Sequence, residues 1–220
     1  MFIDAQNMYR CARRAFGWEG QAGQYGNFKP IGFARTVAAG GPDRELVQVR
    51  VYTGVPTWKQ DRRQNAITQR RMAAWIADGP NLVEIFPRPL RYPPPEGREK
   101  GVDVELAIDV ARLAIDDEYD VVVLASTDTD LLPPLELIVR RFPAKTVETV
   151  GYSPIPGCEG DTAAPLDIAG GGIVRKTMTK AQFERIADRR NFVTGNADPE
   201  ATVGKPRWSA IMKRIAPDSN

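Results

Sequence analysis

Val121-Val122-Val123-Leu124 is the stretch that most restricts how this chain can fold. Four apolar residues, three of them β-branched, follow one another with no polar residue between. A strand with one face in water alternates apolar and polar side chains. An unbroken β-branched run instead suits a strand covered on both faces, central in a parallel sheet. Parallel neighbours need crossover connections, usually helices, and the rest of the chain supplies them. Expected strands at 1–4, Leu46–Thr53, Leu82–Phe86, Tyr119–Ala125 and Thr146–Val150 alternate with expected helices at Asn7–Phe16, Ile31–Ala39, Pro56–Ala77, Val102–Ile115 and Leu131–Phe142. This order predicts a doubly wound α/β domain over residues 1–152. Five prolines between Pro87 and Gly97 predict an extended loop. Residues 153–190 read as a Gly/Pro-rich extension, with one short strand at most and a last helix at Lys180–Arg189 packing on the domain. Residues 191–220 read as a tail with weak pattern, expected to be partly disordered.

Composition removes whole classes of chemistry. The 220 residues include no histidine and only two cysteines, Cys11 and Cys158. This excludes Ser-His-Asp and Cys-His catalysis and HExxH zinc sites, and it argues against a tetrahedral zinc centre. Two distant cysteines read as free thiols of a reducing compartment. No run approaches the roughly 18 apolar residues a membrane helix needs. Asp4 and Arg10 break any signal-peptide pattern. The expected location is the cytoplasm.

Against that background, four aspartates stand at element ends: Asp4 after the first strand, Asp103 in the first turn of a helix, and Asp128 and Asp130 after the buried strand. Ligands of open parallel sheets bind beyond the carboxyl ends of the strands. Carboxylates gathered there repel one another unless a cation lies between them, and oxygen donors suit Mg²⁺ or Mn²⁺. Leu106, Ala107 and Val110 share the helical face of Asp103, so Asp103 is expected to point toward the sheet edge. Asp109 falls off that stripe, beside Glu105, Arg112 and Asp116, on the expected solvated face. Each aspartate alone also suits a helix cap. One cap does not explain the two carboxylates of Asp128-Thr129-Asp130.

Three segments carry a resemblance to a known family. Phe2-Ile3-Asp4-Ala5-Gln6-Asn7, Lys100-Gly101-Val102-Asp103 through Asp109, and Tyr119-Asp120 with Val123 through Leu131 resemble, in order and spacing, the motifs of NYN domain proteins. Within that family the chain resembles the LabA-like branch of the PIN-like nuclease superfamily. The resemblance covers about residues 1–152. It implies a three-layer α/β/α PIN-like fold with a parallel, about five-stranded central sheet in which the first and fourth strands are adjacent. It implies a metal-dependent ribonuclease whose metal-binding acids are Asp4, Asp103, Asp128 and Asp130. Asn7 would partner Asp4, Ser126 would line the site, and Asp109, which matches a family acid, would stand behind the ligands. Thr127 occupies a position where the family usually has glycine.

An acidic site acting on a polyanion needs basic surroundings. Arg88, Arg91, Arg98 and Lys100 thread the Pro-rich loop leading to Asp103, and Tyr92 among them can stack on a base. Lys100 can also balance charge at the acids. Lys59, Arg63 and Arg70 share a face of the long expected helix, which reads first as a solvated face. Trp58 and Trp75 read as packing residues. The expected partner is RNA, single-stranded in preference, with DNA as a second candidate. The oligomeric state stays open, a homodimer included. Two other readings compete: a Toprim-like metal-dependent phosphotransfer domain, and a non-catalytic RNA-binding module that keeps the fold.

Overall fold

The computed structural model describes residues 1–38, 43–91, 100–160 and 163–194. Its strands are β1 (Phe2–Asp4), β2 (Val49–Val55), β3 (Val83–Pro89), β4 (Val121–Ala125), β5 (Thr146–Tyr152) and β6 (Ile173–Met178). Its helices are α1 (Ala5–Ala15), α2 (Pro30–Ala38), α3 (Arg62–Asp78), α4 (Val102–Ile115), α5 (Leu132–Arg141) and α6 (Lys180–Ile186), with a short 3₁₀ turn at Thr129–Leu131.

The strands form one parallel sheet in the order β3-β2-β1-β4-β5-β6. The expected α/β architecture is therefore present, with six strands where about five were anticipated. The sixth is the short strand of the Gly/Pro-rich extension, which pairs with β5 along its whole length. Alternating side chains feed two cores. Ile3, Val51 and Val150 face the layer that holds Trp75 and Phe183. Phe2, Tyr52 and Leu124 face Leu106 of α4 and Leu135 of α5. Covering both faces explains why β4 needs no polar side.

Two expectations on element ends are corrected. The loop expected from Pro87 begins later, because β3 runs on through Pro87 and Pro89. β3 is an edge strand, and Leu90 N–H donates to the Val55 carbonyl at 2.9 Å. Residues of that parity face β2, so the two prolines, of opposite parity, lack their N–H on the open edge, where no bond is lost. The long helix starts at Arg62 rather than Pro56, because the Asp61 carboxylate caps it by accepting from Gln64 N–H at 2.9 Å. Lys59 therefore lies in a turn and does not extend the Arg63–Arg70 face. Trp58, expected to pack, is 61% exposed with the Arg62 guanidinium 5.3 Å from its ring centroid. Trp75 is buried as expected.

The extension is tied down by charge as well as by the sheet. Glu148 of β5 is almost fully buried, with Arg44 Nη1 at 2.7 Å from Oε1 and Lys176 Nζ of β6 at 2.8 Å from Oε2. Beyond α6, Ala187 bridges Phe28, and Arg190 makes ion pairs with Asp78 and Asp188, both at 2.6 Å. From residue 195 on, the expected tail lies outside the described residues.

Gly151 of β5 has no room for a side chain: a Cβ there would stand 2.3 Å from the Ala163 carbonyl oxygen and 2.5 Å from Pro165 N. Both are backbone atoms that cannot rotate away. Gly151→Ala should cost about 1–3 kcal/mol, measured as a shift of the urea midpoint at unchanged slope.

Candidate active site

β1 is followed at once by α1, and the hinge between them is Asp4. Its carboxylate accepts from Asn7 N–H at 3.0 Å and so caps α1, and the side chain is 7% exposed. Asn7 then reaches across to the segment after β4. Its Oδ1 accepts from Thr127 N–H at 3.0 Å and from Thr127 Oγ1 at 3.2 Å. Cys11, one turn on, lies with its Sγ 3.1 Å from Thr127 Oγ1. Thr127 thus brings a hydroxyl to the α1 junction. Ser126 is buried, and its Oγ accepts from Asp128 N–H at 3.2 Å. Asp128 in turn caps the 3₁₀ turn by accepting from Asp130 N–H at 3.0 Å. These bonds tie the Asp4 end of β1 to the Asp128–Asp130 turn. Asp128 is half-buried and Asp130 exposed.

Asp103 comes from the third element. Gly101 starts α4 in a left-handed conformation, with φ at 78°, which glycine adopts without strain. α4 packs against β1 and against the 3₁₀ turn, with Leu106 and Val110 buried and Ala107 packed beside them. The half-buried Asp103 thus lies at the end of the helix nearest the strand ends.

The four aspartates belong to one edge of the sheet, yet among the described residues no three Asp, Glu or Cys side chains stand within reach of a single metal ion. Two of the four carboxylates serve as caps. The donor set is right in kind for a hard cation, being all carboxylate oxygen.

Asp109 is a correction. Helical phase placed it on the solvated face, but the structure buries its carboxylate against β2. Arg50 Nη2 lies 2.7 Å from Oδ2, Tyr52 Oη donates to the same oxygen at 2.7 Å, and Arg112 Nη2 is 3.3 Å from Oδ1. The Arg50 guanidinium also lies over Phe86, 4.1 Å from the ring centroid. Burial raises the Asp109 pKa, but the hydrogen bonds from Arg50 and Tyr52 and the Arg50 charge outweigh it and hold this carboxyl below its usual range. Burial pushes the Tyr52 hydroxyl well above its ordinary value. The cluster pins α4 to β2 six residues past Asp103, fixing the helix that carries it. The sequence held a signal for this: Arg50 and Tyr52 share one face of a strand, and two polar groups on a covered face require a partner.

Of the basic residues expected around the site, Arg88 is half exposed and engaged by Glu105 at 2.6 Å. Arg91 and Lys100 are exposed. Tyr92 and Arg98 lie outside the described residues. No helix among the described residues is long and apolar enough to cross a membrane.

A parallel α/β domain with the strand order reversing between β1 and β4, and with aspartates at the carboxyl ends of those two strands, is Rossmann-like in class. The chain belongs to the NYN domain family, whose model matches residues 1–164. This is a PIN-like, nuclease-type family, and at that level the chain is related to nuclease and RNA biology. Among solved structures it is similar to a protein of unknown function from Vibrio parahaemolyticus, at 22% identity over 79% of this chain and 89% of that one, with a TM-score of 0.49. A search of curated proteins returned no match.

Loss of the Asp109 charge should destabilise the fold and do so as a function of pH. Its folded pKa is depressed, so the stabilisation is complete above the unfolded value of about 4 and fades as pH falls through the lower folded value. Asp109→Asn should cost about 2 kcal/mol near pH 7, less than a fully buried pair because Glu84 stays 3.3 Å from Arg50. The gap from the parent protein should narrow as pH falls from the unfolded value through the lower folded one. Urea unfolding along that pH series reads it.

Proposed function

We propose that the chain is a metal-dependent nuclease of the LabA-like branch that hydrolyses RNA phosphodiester bonds, single strands in preference. The observation that carries this is the linkage of Asp4, through Asn7, to the Asp128–Asp130 turn, with the Asp103 helix packed on both. Asp4, Asp103, Asp128 and Asp130 would hold Mg²⁺ or Mn²⁺. When bound, the ion supplies an activated water and stabilises charge on the phosphate oxygens. Asn7 sets the two acid-bearing turns against each other, Ser126 braces the Asp128 turn from within, and the Arg50–Asp109 pair sets the helix of Asp103. Lys100, exposed just before that helix, offsets the carboxylate charge toward an incoming polyanion. Arg88, Arg91, Tyr92 and Arg98 would contact the strand.

A second reading has its own support. The open spacing of the acids suits a non-catalytic RNA-binding NYN module. The two separate cleanly with labelled single-stranded RNA and DNA in Mn²⁺ or in EDTA. The nuclease reading expects RNA cleavage in Mn²⁺, none in EDTA, and a loss of roughly a hundredfold or more in Asp128→Asn, the scale of several kcal/mol of charge stabilisation. Cleavage that survives EDTA or the substitution sinks it. Binding without cleavage in Mn²⁺ establishes the module instead.

A further inference from the structure

On the other side of α1 lies a cavity of about 1040 Å³ that the acids do not use. α1 is the wall between them. Asn7 and Cys11, four residues apart, face Thr127 and the acid-bearing turn. Gln6, Tyr9 and Arg10, three and four apart, line the cavity. Its far wall is α3, with Gln64, Thr68, Arg71 and Trp75, and its floor includes Thr53 and Gly54 at the carboxyl end of β2. Asn191 and Phe192, held in place where Arg190 grips Asp78 and Asp188, close one side.

The lining specifies what fits. Carboxamides recur around it: Gln6, Gln24, Asn27, Gln60, Gln64 and Asn191. Each offers both donors and acceptors, the mixed pattern that matches the edges of a nucleobase. Tyr9, half-buried in the lining, adds aromatic surface for a base to stack on. One cation is set deep among these amides. Arg71 lies with its guanidinium 5.1 Å from the Trp75 ring centroid and its Nε is buried without a hydrogen-bond partner; the Asp188 carboxylate, already held by Arg190, acts on it only from beyond ion-pair distance. Burial lowers its pKa, so the fold keeps this charge at a cost. A guanidinium in that state is recompensed by an oxyanion, best by a phosphate that accepts two of its N–H groups. Arg10, exposed at the rim on α1, adds a second positive charge.

We infer that this cavity is a nucleotide subsite that takes one residue of a single-stranded RNA, its base among the carboxamides and its phosphate on Arg71 and Arg10. The inference rests on the nuclease or RNA-binding reading for the identity of the strand. Position supports it: Ala5 and Gln6, which directly follow Asp4, line the cavity, so the acids and the cavity meet at the start of α1. The subsite would select the base beside the scissile phosphate, while the acids act on the phosphate itself.

The test uses the full chain. Nucleoside 5′-monophosphates, the matching nucleosides and inorganic phosphate are titrated by calorimetry in EDTA, which removes any contribution of a metal. Monophosphates should bind, and more tightly than nucleoside or phosphate alone. Arg71→Met, which keeps the stem against Trp75, and Arg10→Ala should each weaken binding roughly tenfold, the worth of one charge-assisted hydrogen bond. Asp103→Asn should leave it unchanged. Arg10 is exposed, so its variant carries the test if Arg71→Met does not fold. With single-stranded RNA, the same two variants should weaken binding and blunt base preference at one position. Monophosphate binding unmoved by either variant overturns the subsite. Monophosphate binding that responds while RNA affinity does not overturns the strand form and points to a free nucleotide. Absence of cleavage with the mononucleotide results intact removes the nuclease reading alone.

Discussion

The parallel pairing of β1 with β4 is the constraint on which the rest depends. Phe2 and Ile3 lie in register with Leu124 and Ala125. From β1 the chain first builds outward through β2 to β3, then returns along α4 and resumes on the opposite side of β1. The strand order therefore reverses between β1 and β4, and the crossovers there leave toward opposite faces. A crevice follows at that point in sheets of this kind. With only three residues, β1 has little pairing of its own to lose. It is fixed by neighbours on both sides, and that fixes where Asp4 ends the strand.

Much of this was legible in the residues. The run Val121–Leu124 announced a strand covered on both faces, and α4 was readable from residue 102 to 115 because its apolar spacing is regular. The adjacency of β1 and β4 was not, since no local pattern records which strands neighbour; it came through the resemblance. Position within the sheet misled elsewhere. Pro87 and Pro89 looked like loop because the tolerance of an edge strand for proline is a property of the assembled sheet. Asp109 looked solvated because periodicity sorts residues by polarity, and a carboxylate answered by a buried arginine on another strand falls outside that sorting. The acids were readable as types and positions, and capping was readable as a competing use, but not that Asp4 and Asp128 would be the two that cap. Arg71 gave no signal at all, because what distinguishes it is a buried Nε left without a hydrogen bond, which only the assembled fold creates.

Two polar devices hold the site elements, and they act at different ranges. Asn7 works locally, joining α1 to the turn after β4 through a single carbonyl oxygen shared by Thr127 N–H and Oγ1. The Arg50–Tyr52–Asp109 cluster acts along a helix, locking α4 well below the turn that carries Asp103. Both replace apolar packing with directional bonds. Packing alone lets a helix slide by small amounts, whereas a buried ion pair with a hydroxyl bridge has one geometry.

The two prolines of β3 bear on how the molecule meets copies of itself. A bare edge strand is a template on which another chain can add a strand. On β3 the outward N–H groups at positions 87 and 89 do not exist, so a foreign strand finds two missing rungs. At the opposite edge, β6 carries Arg175 and Lys176 in its middle, ion-paired to Asp167 and Glu148, and an added strand would have to desolvate these charges. Both rims of the sheet thus resist growth into a larger sheet, and the strand ends stay open while the flanks are kept from sticking to one another.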